Sequence, residues 1–112
     1  MKHAKSLYKK ARDNTRFRRI LKTTPQLQVV VMSLAPLQEI PYEQHDSATQ
    51  MVRVEDGIAW VDMKDKRIKL VEGDYCVIPP ATQHRIQNAL EHRALKLSVV
   101  YAPPQHRLRV LK

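Results

Sequence analysis

Two short segments of the 112-residue chain carry side chains that could share a cation or move a proton. The first runs Glu43-Gln44-His45 and continues to Gln50 and Gly57. Glu43 and His45 are two apart, so in extended chain both side chains leave the same face. Gln50 opens an alternating run: Gln50, Val52 and Val54 share one face, and Met51, Arg53 and Glu55 the other. That alternation sends the Gln50 amide toward an apolar interior. The second segment is Gly73-x5-Pro79-x-Ala81-x2-His84-x3-Asn88, which brings another His onto a strand behind a Pro-Pro turn. A carboxylate, two imidazoles and an amide in a core are costly unless something satisfies them together. Glu43, His45, His84 and Gln50 could converge on a divalent cation that keeps vacant positions. Two His and one carboxylate suit Fe(II), the added oxygen donor also suits Mn, Co or Ni, and Zn accepts the same groups.

Such residues are far apart along the chain and need a β-rich frame to meet. Leu27–Leu34 is rich in β-branched residues and ends before Pro36. Gln50–Glu55 alternates, and Asp56-Gly57 reads as a hairpin turn joining it to Ile58–Met63. Further short runs follow at Arg67–Val71, Tyr75–Ile78, Gln83–Gln87 and Ala94–Tyr101, separated by turn residues. Seven or eight short strands without a helical pattern among them predict an all-β sandwich or barrel. Near the N-terminus, Leu7, Tyr8 and Ala11 lie three and four apart, which predicts a short helix over Ser6–Arg12 with Ser6 as N-cap.

Length and apolar content fit one domain with one core, and no window is apolar enough for a membrane-spanning helix. The basic N-terminus lacks the apolar stretch of a secretory signal, and the single Cys76 cannot form an internal disulfide. Both point to a reducing, cytoplasmic setting. Charge is uneven. Residues 1–22 hold nine basic side chains against Asp13 alone, whereas residues 23–106 are slightly acidic. The chain therefore divides into a basic N-terminal arm, 1–22, and a barrel, 23–112. An arm of this kind suits a nucleic acid or another polyanion, contacted without base readout because few aromatic residues interleave the cations.

With these motifs in view, the chain resembles the cupins, the jelly-roll family of double-stranded β-helix barrels. Their first motif, G-x5-H-x-H-x3,4-E-x6-G, appears as Q-x4-E-x-H-x4-Q-x6-G over Gln38–Gly57. The second, G-x5-P-x-G-x2-H-x3-N, is matched from Gly73 to Asn88 at every fixed position except Ala81. The chain is most similar to small single-domain cupins of the mannose-6-phosphate isomerase-like type, which also carry Glu and Gln where Glu43 and Gln50 stand. Two further matches are Asn14–Leu21 at the start and Tyr101-Ala102-Pro103-Pro104-Gln105-His106 at the end. The resemblance implies that Glu43, His45, Gln50 and His84 occupy the four metal-ligand positions. It also implies a small molecule in the barrel and a homodimer, the apolar Leu27–Leu34 run needing a cover for its faces or edge. Gln for Glu removes one negative charge from the ligand set. Ala81 must carry a Cβ through the turn after Pro79-Pro80, which costs about 1 kcal/mol or more if that turn requires positive φ.

Other candidates read as structural. His106 follows the Pro-Pro pair outside the ligand motif and is expected at the surface, the alternative being a general base lining the barrel mouth; His3 and His92 are expected in solvent. Cys76 and Trp60 read as packing residues, Tyr42 points away from Glu43, and Arg53 lies opposite Gln50. Arg85, adjacent to His84, alternates outward, which removes the phosphate-binding cation that sugar-phosphate isomerase chemistry would need. Isomerase-like and dioxygenase-like reactions both fit a metal-bearing barrel. A non-enzymatic scaffold acting through the basic arm is the alternative.

Overall fold

The computed structural model describes residues 5–106. Ser6 opens the first element: its hydroxyl accepts from the Lys9 amide at 3.1 Å and caps helix α1 (Leu7–Asp13). Lys10 and Arg12 stand in its last turn, where the helix dipole favours cations. Nine strands follow among the described residues: β1 (Arg18–Thr23), β2 (Gln28–Leu34), β3 (Glu39–Glu43), β4 (Thr49–Asp56), β5 (Ile58–Met63), β6 (Lys66–Val71), β7 (Tyr75–Ile78), β8 (His84–Asn88) and β9 (Leu95–Ala102). They form two antiparallel sheets, ordered β1-β2-β9-β4-β7 and β3-β8-β5-β6. This is the all-β, double-stranded β-helix architecture expected of the chain.

Alternation in each strand builds the interior. Val30, Met32 and Leu34 from β2 meet Leu95, Leu97, Val99 and Tyr101 from β9 and Val52 and Val54 from β4. Ala59, Val61, Leu70 and Ile86 close the core from the other sheet. Asn88, fully buried, ties the loops at the far end together. Its amide nitrogen donates to the carbonyls of Leu34, Ala35 and Arg93, and its oxygen accepts from Leu90. The last residue of the second motif is thus a structural clasp.

The Asp56-Gly57 step does not form a hairpin. β4 pairs with β7 and β9 while β5 pairs with β6 and β8, so Gly57 carries the chain from one sheet into the other. The true hairpin is β5–β6, closed at Lys64-Asp65 with Lys64 at φ 49°. Gly57 adopts φ +104°, which L side chains rarely reach. The turn signature was correct as a demand for positive φ and silent about which sheet the chain enters next.

The described part of the basic segment is folded onto the barrel and does not trail from it. β1 pairs with β2 along five register positions, so the boundary drawn at residue 22 falls inside a strand. Helix α1 lies over the outer face of the five-stranded sheet and buries Ala11 completely. Val31 and Ser98, paired across β2 and β9 on that face, are fully buried too. Glu55 is also buried, aided by a register shift between Val54 and Asp56. It accepts from the Ser98 hydroxyl at 2.6 Å, with the Arg53 guanidinium 3.6 Å away. Alternation places Glu55 opposite the core as expected; what it could not convey is that a helix covers that side. The same arrangement answers the need of the apolar β2 run within one chain, since β1 and β9 flank it and α1 covers it.

Among the described residues no helix is long and apolar enough to cross a membrane.

Substitution Gly57→Ala tests the inter-sheet joint. A Cβ there sits 3.3 Å from Leu95 Cδ1 and 3.4 Å from Leu95 Cα, at an unfavourable φ. The variant is expected to lose about 1–3 kcal/mol, read as a lower denaturant midpoint at unchanged slope. An unchanged midpoint would show that the joint accepts a side chain.

Candidate metal centre

Glu43 and His84 are direct cross-strand partners in the β3–β8 ladder, so their side chains leave one face of the sheet. That face is the barrel interior. β3 is an edge strand, which accommodates Pro41, and a register shift between Ile40 and Glu43 adjusts the direction of the Glu43 side chain. His45 lies two residues beyond the strand and still turns to the same side. Its carbonyl accepts from the Ala81 amide at 2.9 Å, which ties the first ligand segment to the loop that delivers His84. Ala81 has φ 58°, so the turn that makes this link does require the left-handed conformation, and its Cβ stores about 1–2 kcal/mol of strain.

The three groups form a cluster. Glu43 Oε1 lies 3.4 Å from His45 Nε2 and 3.6 Å from His84 Nε2, and one potential ligand atom from each lies within 4.8 Å of the others. Both Glu43 separations exceed good hydrogen-bond length, and the three groups lie close enough together that they could hold a metal ion. His84 is 1% exposed, and its Nδ1 lies 2.9 Å from the Thr82 carbonyl. A carbonyl only accepts, so Nδ1 carries the proton and Nε2 directs its lone pair inward. Pairing with His84 is the main reason the Glu43 carboxyl is held below the usual carboxylate range; burial opposes it and His45 assists. For His84 itself burial is the largest influence and disfavours charge. Glu43 and the Thr82 carbonyl together outweigh it, and its pKa is raised.

Gln50 is 2% exposed on the inner face of β4, as alternation foresaw, in register with Ile78 on one side and Tyr101 on the other. Its Oε1 is buried without a hydrogen-bond partner among the described residues, and so are Nε2 of His45 and Nε2 of His84. The Tyr101 ring stands edge-on to His45, centroids 5.4 Å apart. Burial, then Glu43, push its hydroxyl pKa upward, so it stays protonated.

His106 is half-buried, with its ring turned inward. It lies 4.8 Å from the Tyr101 ring and 6.5 Å from the His45 ring, and its Nε2 is buried without a partner among the described residues. Burial and the nearby Arg18 hold its pKa down. The device that brings it in is Gln28, fully buried at the start of β2. The Gln28 amide nitrogen donates to the His106 carbonyl at 2.6 Å, and its oxygen accepts from the Gln105 and His106 amides. A lone Gln at the mouth of an apolar strand was the available signal, and only the fold reveals what it holds.

The remaining residues take structural places. Arg85 turns outward and donates to Asp62 at 2.8 Å and to Glu39 at 3.5 Å, with Tyr42 beneath its guanidinium. Trp60 is covered by Arg67 at 4.5 Å, Cys76 packs against the core, and His92 is exposed. His3 lies outside the described residues.

Residues 30–101 match the cupin domain family. The chain is 38% identical over 96 residues to protein L612 of Acanthamoeba polyphaga mimivirus, covering 83% of this chain and 60% of that protein. It is 33% identical over 101 residues to YrkC of Bacillus subtilis, covering 85% and 54%. It thus spans less than two thirds of the length of either relative. The crystal structure of BH2720 from Bacillus halodurans is similar throughout, with TM-score 0.89 and 33% identity, covering 93% of this chain and 83% of that one.

The Glu43–His84 pair predicts a pH signature for the metal-free protein. A lowered Glu43 pKa contributes stability above its usual 4.5, lost as pH falls through the folded value; a raised His84 pKa contributes below 6.5, lost as pH rises through the folded value. The stability difference between wild type and Glu43→Gln should therefore be greatest between pH 4.5 and 6.5 and shrink on both sides. Its size is on the order of 1 kcal/mol, measured by urea unfolding. A pH-independent difference would contradict the pairing.

Proposed function

The chain belongs to the cupin family, and from that premise we infer that Glu43, His45, His84 and Gln50 hold a divalent metal ion beside which a small molecule binds. The observation that carries this reading is a set of buried atoms without a hydrogen-bond partner among the described residues: His45 Nε2, His84 Nε2 and Gln50 Oε1. A folded chain seldom leaves three such atoms unsatisfied in one place unless something else satisfies them. Two imidazoles, one carboxylate and one amide oxygen favour Fe, Mn, Co, Ni or Zn over Mg or Ca, which prefer all-oxygen sets. When bound, such an ion acts as a Lewis acid, polarising a carbonyl or lowering the pKa of a bound water.

The chain's own groups have separable tasks. Thr82 fixes the His84 tautomer through its carbonyl, and Glu43 supplies the only negative charge of the set. Gln50 adds a neutral oxygen, so a divalent ion retains net positive charge and attracts an anionic or polarised ligand. Tyr101 and the surrounding Val and Leu residues keep bulk water from the inner face.

A second reading concerns the basic segment. Lys5, Ser6, Lys9, Lys10, Asp13 and Arg19 line a surface concavity of about 420 Å³, remote from the barrel interior. Four cations against one carboxylate suit a nucleic-acid backbone, bound irrespective of sequence.

Elemental analysis of purified protein beside a Glu43→Ala/His84→Ala variant tests the first reading. Near-stoichiometric metal in wild type, lost in the variant, is expected; equal traces in both would overturn it. For the second reading, engagement of four phosphates gives log K against log salt a slope of about −3.6, falling to about −0.9 when Lys5, Lys9 and Lys10 become Gln. A slope unchanged by those substitutions would reject the basic concavity as the contact.

A further inference from the structure

One inward-facing cation has no role in anything described so far. Arg18 is the register partner of Met32, which is 1% exposed in the core, so the Arg18 side chain leaves the inner face of β1. Its Nε is buried with no hydrogen-bond partner among the described residues, and no carboxylate lies within ion-pair distance of it there. The Phe17 ring, 5.3 Å from the guanidinium carbon, limits its swing. Its charge is felt by both Tyr101 and His106. His106 in turn places a buried, unpartnered Nε2 beside Tyr101, one ring away from His45. Gln28 holds that ring in place through the backbone on either side of it.

Arg18 is half-buried, and its buried Nε–H, turned to the inner face without a partner among the described residues, is costly to leave unsatisfied. Its planar fork matches the two oxygens of a carboxylate, and a neighbouring imidazole adds a further donor. We propose that Arg18 and His106 together bind a carboxylate on the inner side of the barrel wall, and that the ligand is a small carboxylate bearing an adjacent oxygen, such as a 2-hydroxy acid. The carboxylate contact stands on Arg18 and His106 alone. The orientation of the second oxygen toward Glu43, His45 and His84 rests on the metal reading given above.

Glycolate is the probe, followed through the Arg18 Nε–Hε and His106 ring signals by NMR, with and without Zn(II). Saturable shifts are expected in both forms, tighter with Zn(II), and absent with glycolamide, which lacks the carboxylate. Arg18→Gln should weaken glycolate by about tenfold or more, in line with loss of a charge-assisted hydrogen bond, while zinc stoichiometry stays unchanged. Arg18→Lys should retain part of the affinity and guards against misfolding of the first variant. The proposal is overturned if glycolate moves neither signal in either form, if glycolamide moves them equally, or if Arg18→Gln binds glycolate like wild type. Glycolate shifts without zinc binding would sink the metal reading and uphold this one; zinc binding without glycolate shifts would do the reverse.

Discussion

Polar side chains inside a two-sheet barrel must find partners there, because the water they left behind cannot follow. In this protein the constraint is concentrated where Glu43 faces His84 across the β3–β8 ladder. The ladder sets their spacing, the Thr82 carbonyl sets the direction of the imidazole, and the Ala81 amide anchors His45 alongside. Strain at Ala81 is tolerated because the turn it makes ties the His45 segment to the loop before His84. Each of these features would be a liability in an apolar core, and together they make a donor set.

Much of this was legible in the chain. Strands such as β5 and β7 appear at their observed boundaries because alternation and turn residues mark both ends. The clustered Glu43, His45, Gln50 and His84 stood out because polar groups at fixed spacing interrupt apolar runs. What remained hidden involves partners distant in sequence. β1 reads as basic tail because Arg18, Arg19 and Lys22 mask the alternation of Ile20 with its neighbours. β3 is short and contains Pro41, so only its pairing with β8 identifies it as a strand. Glu55 looks exposed until α1 is seen to lie over it, and His106 looks superficial until Gln28 is seen to hold it. Asp56-Gly57 illustrates the general case: local chemistry specifies a backbone angle, and the tertiary fold decides what that angle is used for.

The two faces of the five-stranded sheet solve opposite problems with similar means. On the inner face, Gln50 points toward His45 and His84 from the opposite side of the barrel, and its oxygen has no partner among the described residues. On the outer face, the buried Glu55 carboxylate is satisfied within the chain by Ser98, with Arg53 nearby, under the cover of α1. Lys96 reaches across the same surface to the Asn14 carbonyl and the Ser33 hydroxyl, fastening the helix end to the sheet. Burial of a polar group is therefore not by itself a mark of function in this fold. The distinguishing feature is whether its hydrogen-bonding capacity is spent.

The Gln28 clasp has an evolutionary consequence. His106 reaches the cavity on a stretch of chain secured by one amide side chain, not by a strand ladder, so that stretch can diverge without unzipping either sheet. Descendants of such a barrel could exchange the group presented at the opening while inheriting the cluster beneath it intact. A different side chain at position 106 would then alter what faces Tyr101 without changing any strand pairing.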